Sequence, residues 1–341
     1  MTELPILTSL TRHAPLDGRA VPLAVLGRER WATGDLVAVR VTAAPVTAHL
    51  ELVGGRMRGV LPGDLVVGAL GHRYATLEVT GSWEAVEADG RMQFLTSAGL
   101  LGAVLSCSPY VGGIISVRYE GHVLIGGTKA TMERFVEPVP ARPWTTPTLL
   151  LVGTSMSSGK TTAARVLIRR LVRAGHRVLG AKLTGAGRYR DIQAMADAGA
   201  EWIYDFVDAG LPSTVHPAEA YRAALAQLLA RMAAHPADVA VVEIGSSPLE
   251  RYNGAAAAAA VRDAVGCTVL CASDPYAVVG AIAAFGFAPD LVSGIATNTE
   301  AGLDLLARLT DVPALNMLDP ASYPALDALL ARTLAPPAPV P

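Results

Sequence analysis

Gly153, Thr154, Ser155, Met156, Ser157, Ser158, Gly159, Lys160, Thr161 and Thr162 form a Gly/Ser-rich run between two segments of different character. Before it lies the apolar stretch Thr148 to Val152; after it an amphipathic stretch begins at Lys160. A strand, a glycine-rich turn and Gly-Lys-Thr opening a helix are the parts of a phosphate loop. Backbone N–H groups at the helix N-terminus wrap a β-phosphate, the lysine reaches β/γ oxygens, and the Thr161 hydroxyl ligates Mg²⁺. Five residues rather than four separate Gly153 from Gly159, which leaves Thr154 where such loops usually carry their first glycine.

The elements that must position this loop follow from periodicity. After residue 147 apolar β runs alternate with helical spacing, as in βαβ units and a parallel sheet. Strands are predicted at Thr148 to Val152, Arg177 to Lys182, Asp238 to Glu243, Cys267 to Ala272 and Leu291 to Thr297. Helices are predicted at about Lys160 to Ala174, Ile192 to Gly199, Pro217 to Ala234, Gly254 to Val265, Val278 to Phe285 and Ala301 to Thr310. Lys182 and Glu243 then fall at the C-terminal edge of the sheet, where folds of this class bind ligands. A carboxylate closing an apolar strand, as Glu243 does, is costly unless a cation or donor meets it.

Gly-Thr-x-x-x-x-Gly-Lys-Thr after a strand resembles dethiobiotin synthetase and its ATP-dependent, carboxylate-activating relatives. The likeness continues through Arg177 to Lys182, through Ala237-Asp238 and the strand ending at Glu243, and through Gly294-Ile295-Ala296-Thr297-Asn298. It spans about Thr148 to Leu318. The resemblance implies that Lys182 contacts substrate and phosphate, that Glu243 helps hold Mg²⁺, and that Asn298 lies beside adenine. Asp191 is placed as a second metal ligand or, equally, as a cap of the following helix. It implies ATP and Mg²⁺ as cofactors, a homodimer, and phosphoryl transfer to a small carboxylate or carbamate in a ligase-type reaction. Leu183 in place of proline, Ile244 after the glutamate and Ser246-Ser247-Pro248 in place of a glycine-rich turn point to a rebuilt substrate pocket. Arg251 is either an anion contact there or an ordinary exposed arginine. Thr297-Asn298-Thr299-Glu300 lacks the Asn-Lys-x-Asp of guanine readers. Two other readings stay open: an N-acyltransferase acting on an amino acid such as D-glutamate, with the loop cradling an acyl-CoA, and a regulatory nucleotide-binding module.

Upstream, residues 1–137 read as a β-rich module with strands at Asp35 to Val41, Asp64 to Ala69 and Tyr74 to Val79. A hairpin is predicted from Ile114 to Ile125, turning at Glu120-Gly121. Prolines crowd residues 138–147, an expected linker to the α/β P-loop unit at 148–334. Residues 335–341 read as an extended, disordered tail. The chain has 341 residues, with 28 Lys and Arg against 30 Asp and Glu. That near balance removes any general electrostatic case for nucleic acid or anionic membrane and leaves a small molecule as the expected partner. Mean hydropathy is +0.37, but no apolar run reaches the about 18 residues of a membrane span. The first residues lack the character of a secretory signal, so a cytoplasmic location is expected. The histidines show no ligand spacing, and the three cysteines are expected as small core residues.

Overall fold

The apolar run before the loop forms β1 (Thr148–Gly153), buried along its whole length as a central parallel strand requires. A computed structural model of the chain describes residues 4–16 and 21–334; the expected tail at 335–341 lies outside them. From the loop starts α1 (Lys160–Arg173), which buries Ala163, Ala164, Leu167, Ile168 and Leu171 at helical spacing. The remaining strands are β2 (Val178–Thr184), β3 (Trp202–Asp205), β4 (Val239–Ile244), β5 (Val265–Cys271) and β6 (Leu291–Ser293). They form a six-stranded sheet in the order β3-β2-β4-β1-β5-β6, parallel throughout. The other helices are α2 (Tyr189–Asp197), α3 (Ala218–Met232), α4 (Gly254–Val261), α5 (Pro275–Phe285), α6 (Glu300–Leu309) and α7 (Tyr323–Leu334).

Three expectations change here. The short edge strand β3, paired only with β2, and the last helix α7 were not predicted. Leu326 and Leu330 of α7 are buried one turn apart, while Pro324 falls in its first turn, where proline is tolerated. The predicted run Leu291 to Thr297 stops as a strand at Ser293 and becomes a short 3₁₀ turn, Ile295–Thr297. Gly294 makes the break at φ 88°, and a Cβ there would lie 2.3 Å from the Ser158 carbonyl oxygen.

The N-terminal region is indeed β-rich. Strands Leu65–Leu70, Leu36–Ala43, Ser116–Ile125, Arg91–Phe94 and Leu100–Cys107 pair in that order, and the last pairs back to the first. The ring so closed is a small barrel. Val37, Val39 and Val41 point into its core, while Leu36 and Ala38 join the core shared with the P-loop unit, the alternation expected of a strand covered on both faces.

Two predictions fail inside it. Ser116–Ile125 is one continuous strand rather than a hairpin. Its register against Leu36–Ala43 slips between Tyr119 and Gly121, so Glu120 is the extra residue of a bulge. Gly121 serves close packing there, since a Cβ would approach that of Leu23 to 3.1 Å. The stretch Tyr74 to Val79 is the turn between strands His72–Tyr74 and Val79–Ser82.

The two units share one core. Leu10 and Met132 line the same small crevice as Val207, and a Cβ on Gly187 would overlap the Leu10 side chain at 2.4 Å. Arg12 forms a buried ion pair with Asp205 at 2.6 Å and Asp208 at 2.9 Å. Among the described residues no helix is long and apolar enough to cross a membrane.

Candidate functional site

The phosphate loop is fixed at several points along its length. Thr154 donates its N–H to the Cys271 carbonyl at 3.2 Å and accepts from the Ser273 N–H through Oγ1 at 3.3 Å, tying the loop to the end of β5. Ser157 takes φ 66° and Gly159 φ 102°, which turns the backbone into the helix. Lys160 is buried, and its Nζ donates to the Ser155 carbonyl at 2.7 Å. Gly153 makes room for it: a Cβ there would lie 2.8 Å from Nζ. Ser155 and Ser158 are buried, Met156 half-buried and Thr162 exposed.

Beside the loop, three predicted residues come together. Lys182 and Glu243 are paired neighbours on β2 and β4. The Thr161 hydroxyl donates to Glu243 Oε2 at 3.2 Å, and Lys182 Nζ donates to Asp191 Oδ2 at 2.5 Å. Burial lowers the Lys160 pKa, with Glu243 only partly offsetting it. Lys182 is equally buried, yet Asp191 and Glu243 overcome that cost and hold its ammonium above the ordinary value. Burial pushes Glu243 up against the pull of Lys182 and Lys160. For Asp191 burial also opposes the charge, but Lys182 and Arg188 outweigh it and keep the carboxyl low. The hydroxyl of Thr161 next to a buried carboxylate is a hard oxygen donor set that fits Mg²⁺.

Of the two roles considered for Asp191, the helix cap is not made. Asp191 is the partner of Lys182, while the first amides of α2 are capped from the other unit. Glu51, fully buried, accepts from the Tyr189 N–H at 2.7 Å and the Arg190 N–H at 3.0 Å. The N-terminal unit also touches the loop itself, where Ser157 Oγ donates to Glu78 Oε1 at 3.0 Å. Glu78 in turn pairs with Arg73. Arg73, Glu78, Thr96 and Ser97 therefore wall a cleft of about 560 Å³ together with Lys160, Thr161, Lys182, Asp191 and Glu243.

Other predicted residues fall elsewhere. Asn298 is exposed beyond the 3₁₀ turn that Gly294 starts, and it is not among the residues lining this cleft. Arg251 stacks on Tyr74, 4.8 Å from the ring centroid. Cys267 and Cys271 are core residues as expected, but Cys107 is exposed. Among the described residues no cluster of three or more His, Cys, Asp and Glu side chains stands ready for a metal. The sequence reading missed Glu51, Arg73, Glu78 and Thr96. For the first three the one legible signal was charge within β-rich segments; Thr96 carried none.

No protein-family model and no curated protein matches the chain. Among solved structures it is similar to HypB from Helicobacter pylori in complex with nickel, at 15% identity and TM-score 0.35, over 56% of this chain and 87% of that one. It is also similar to the 54 kDa signal recognition particle protein from Aeropyrum pernix K1 in complex with GDP, at 21% identity and TM-score 0.34, over 59% and 53%. A third likeness is to a DUF1611 family protein from Anabaena variabilis, at 15% identity and TM-score 0.34, over 57% and 62%. The chain thus spans about half the length of the signal recognition particle protein. Strand order, loop geometry and the Gly-Lys-Thr with its buried lysine make residues 148–334 a P-loop NTPase fold, joined to a closed N-terminal β-barrel.

Proposed function

We propose that the chain binds Mg·ATP and transfers the γ-phosphoryl group to a small carboxylate or carbamate, in the manner of the dethiobiotin synthetase-like enzymes that its motifs resemble. The observation that carries this reading is the placement of two buried lysines, Lys160 and Lys182, on either side of Glu243 in one cleft. A carboxylate oxygen of the acceptor attacks the γ-phosphorus, the bond to the β,γ-bridging oxygen breaks, and ADP leaves. An amine then attacks the acyl carbon, phosphate departs, and the amine proton passes to solvent. Lys160 compensates charge on the β/γ oxygens, and Lys182 faces the acceptor side, so catalysis here is positioning and electrostatics. Thr161 and Glu243 would hold Mg²⁺, which neutralises charge on the phosphates when bound. The absence of an Asn-Lys-x-Asp run supports ATP over GTP.

The test is ADP formation from ATP, with GTP in parallel, across mono- and dicarboxylic acids supplied with an amine or bicarbonate. At least one acid should stimulate turnover in the full chain and not in Lys160→Ala or Thr161→Ala. Stimulation that survives both substitutions, or no stimulation by any acid, would sink the reading.

A further inference from the structure

We infer that Glu78 of the barrel is a positioning residue for the phosphate loop: it holds the backbone of Ser157 in the turn that receives the phosphates, while Arg73 screens its charge. Glu78 acts on the loop itself, so nucleotide affinity tests the assignment whether or not phosphoryl transfer to an acid follows.

Ser157 is the point of the loop that most needs holding. It is one of two described residues other than glycine with a positive φ, 66°, and a side chain makes that left-handed region costly. Phosphate loops bind through successive backbone N–H groups, so a residue that relaxes out of this turn re-aims the amides around it. Thr154 is tied to β5 and Gly159 leads into α1, but between them Ser157 has no backbone partner. Among the described residues its one hydrogen bond runs from Oγ to Glu78 Oε1, at 3.0 Å.

The acceptor is itself anchored. Glu78 lies in the turn between strands His72–Tyr74 and Val79–Ser82, and that turn is tied to the P-loop unit at three further points. The Tyr74 N–H donates to the hydroxyl of buried Tyr252 at 2.8 Å, the Thr76 hydroxyl donates to Glu250, and Arg251 stacks on Tyr74. Glu250 also accepts from the Ser247 N–H at 2.8 Å. These partners follow β4 and Gly245, which lines the phosphate cleft. The barrel turn thus bridges the two segments that flank the phosphates. A carboxylate beside them would by itself repel a triphosphate. Arg73 cancels that charge: it pairs with Glu78 and is fixed in turn by the Leu95 carbonyl, to which it donates at 2.5 Å. The pair keeps the hydrogen bond to Ser157 and removes the repulsion.

Calorimetry of Mg·ATP on the full chain tests the assignment. Glu78→Ala should weaken binding by about three- to tenfold, the net contribution of one hydrogen bond. Glu78→Gln keeps an acceptor and should bind more tightly than Glu78→Ala. Ser157 supplies a readout that a general loss of stability would not move. Glycine adopts positive φ without strain, so Ser157→Gly should bind more tightly than Ser157→Ala, and Glu78→Ala should cost nothing further in the Ser157→Gly background. Arg73→Met should weaken binding, and Glu78→Gln added to it should recover part of the loss. Wild-type affinity in Glu78→Ala, or an equal loss from Glu78→Ala with Ser157 and with Ser157→Gly, overturns the positioning role. A further loss on adding Glu78→Gln to Arg73→Met overturns the screening. The two readings fail separately. Nucleotide affinities that follow this pattern while no acid stimulates ADP formation remove the phosphoryl transfer and leave Glu78 in its role. Acid-stimulated turnover with unchanged affinity in Glu78→Ala removes the role and leaves the transfer.

Discussion

Lys182 is the residue on which nucleotide recognition and acceptor chemistry divide. Its Nζ is held by Asp191, its paired neighbour across the sheet is Glu243, and its aliphatic stem passes close to Gly245, where a Cβ would lie 2.6 Å from Cε. No loop atom shares its hydrogen bond. Lys182→Ala should therefore keep Mg·ATP affinity while product formation falls by roughly 10²- to 10³-fold, the loss expected from removing one preorganised electrostatic donor. Calorimetry for the nucleotide and single-turnover product formation make the paired measurement. Normal turnover would reduce Lys182 to a structural ion-pair member. Lost ATP binding would move it into the nucleotide site.

At the scale of elements, α2 is the helix whose placement decides the site, because it carries Arg190 and Asp191 of the cleft wall. Its first amides depend on a carboxylate from the other unit, Glu51, which is itself met by the Ser9 hydroxyl. Glu51→Ala should destabilise the fold by about 2–4 kcal/mol, from a lost cap and buried unsatisfied donors. Chemical denaturation reads that loss, and a change within error would show water taking over the cap. The same helix marks where sequence reasoning ends. The loop, β1 and α1 were legible because an apolar run, Gly-Lys-Thr and helical spacing coincide within some 25 residues. Lys182 and Glu243 were legible as strand ends. Glu51 was not, since its partners lie 138 and 139 positions along the chain. Arg73 and Thr96 were hidden for the same reason, as charge and hydroxyl in β-rich segments carry no mark of the cleft they will face. The hairpin expected at Glu120-Gly121 failed because a glycine that relieves crowding at a bulge looks, in sequence, like one that makes a turn.

The whole molecule is organised around a core that ignores the Pro-rich segment at 138–147. Apolar side chains of the barrel exterior, among them Leu36, Ala38, Val67 and Leu100, belong to the same cluster as Leu179, Phe206 and Val242 of the P-loop unit. Buried Arg12 with Asp205 and Asp208 adds a polar tie across that boundary. The chain before the linker is thus part of the site's architecture as well as a β-rich preface to it. Its wall of Arg73, Glu78, Thr96 and Ser97 stands opposite the phosphate loop in the same polypeptide. A wall delivered by a covalent tether is present at a fixed effective concentration, whatever the number of molecules in the tube. Rate should consequently rise in direct proportion to enzyme down to nanomolar dilution, and a specific activity that collapses on dilution would show that a second molecule completes the site.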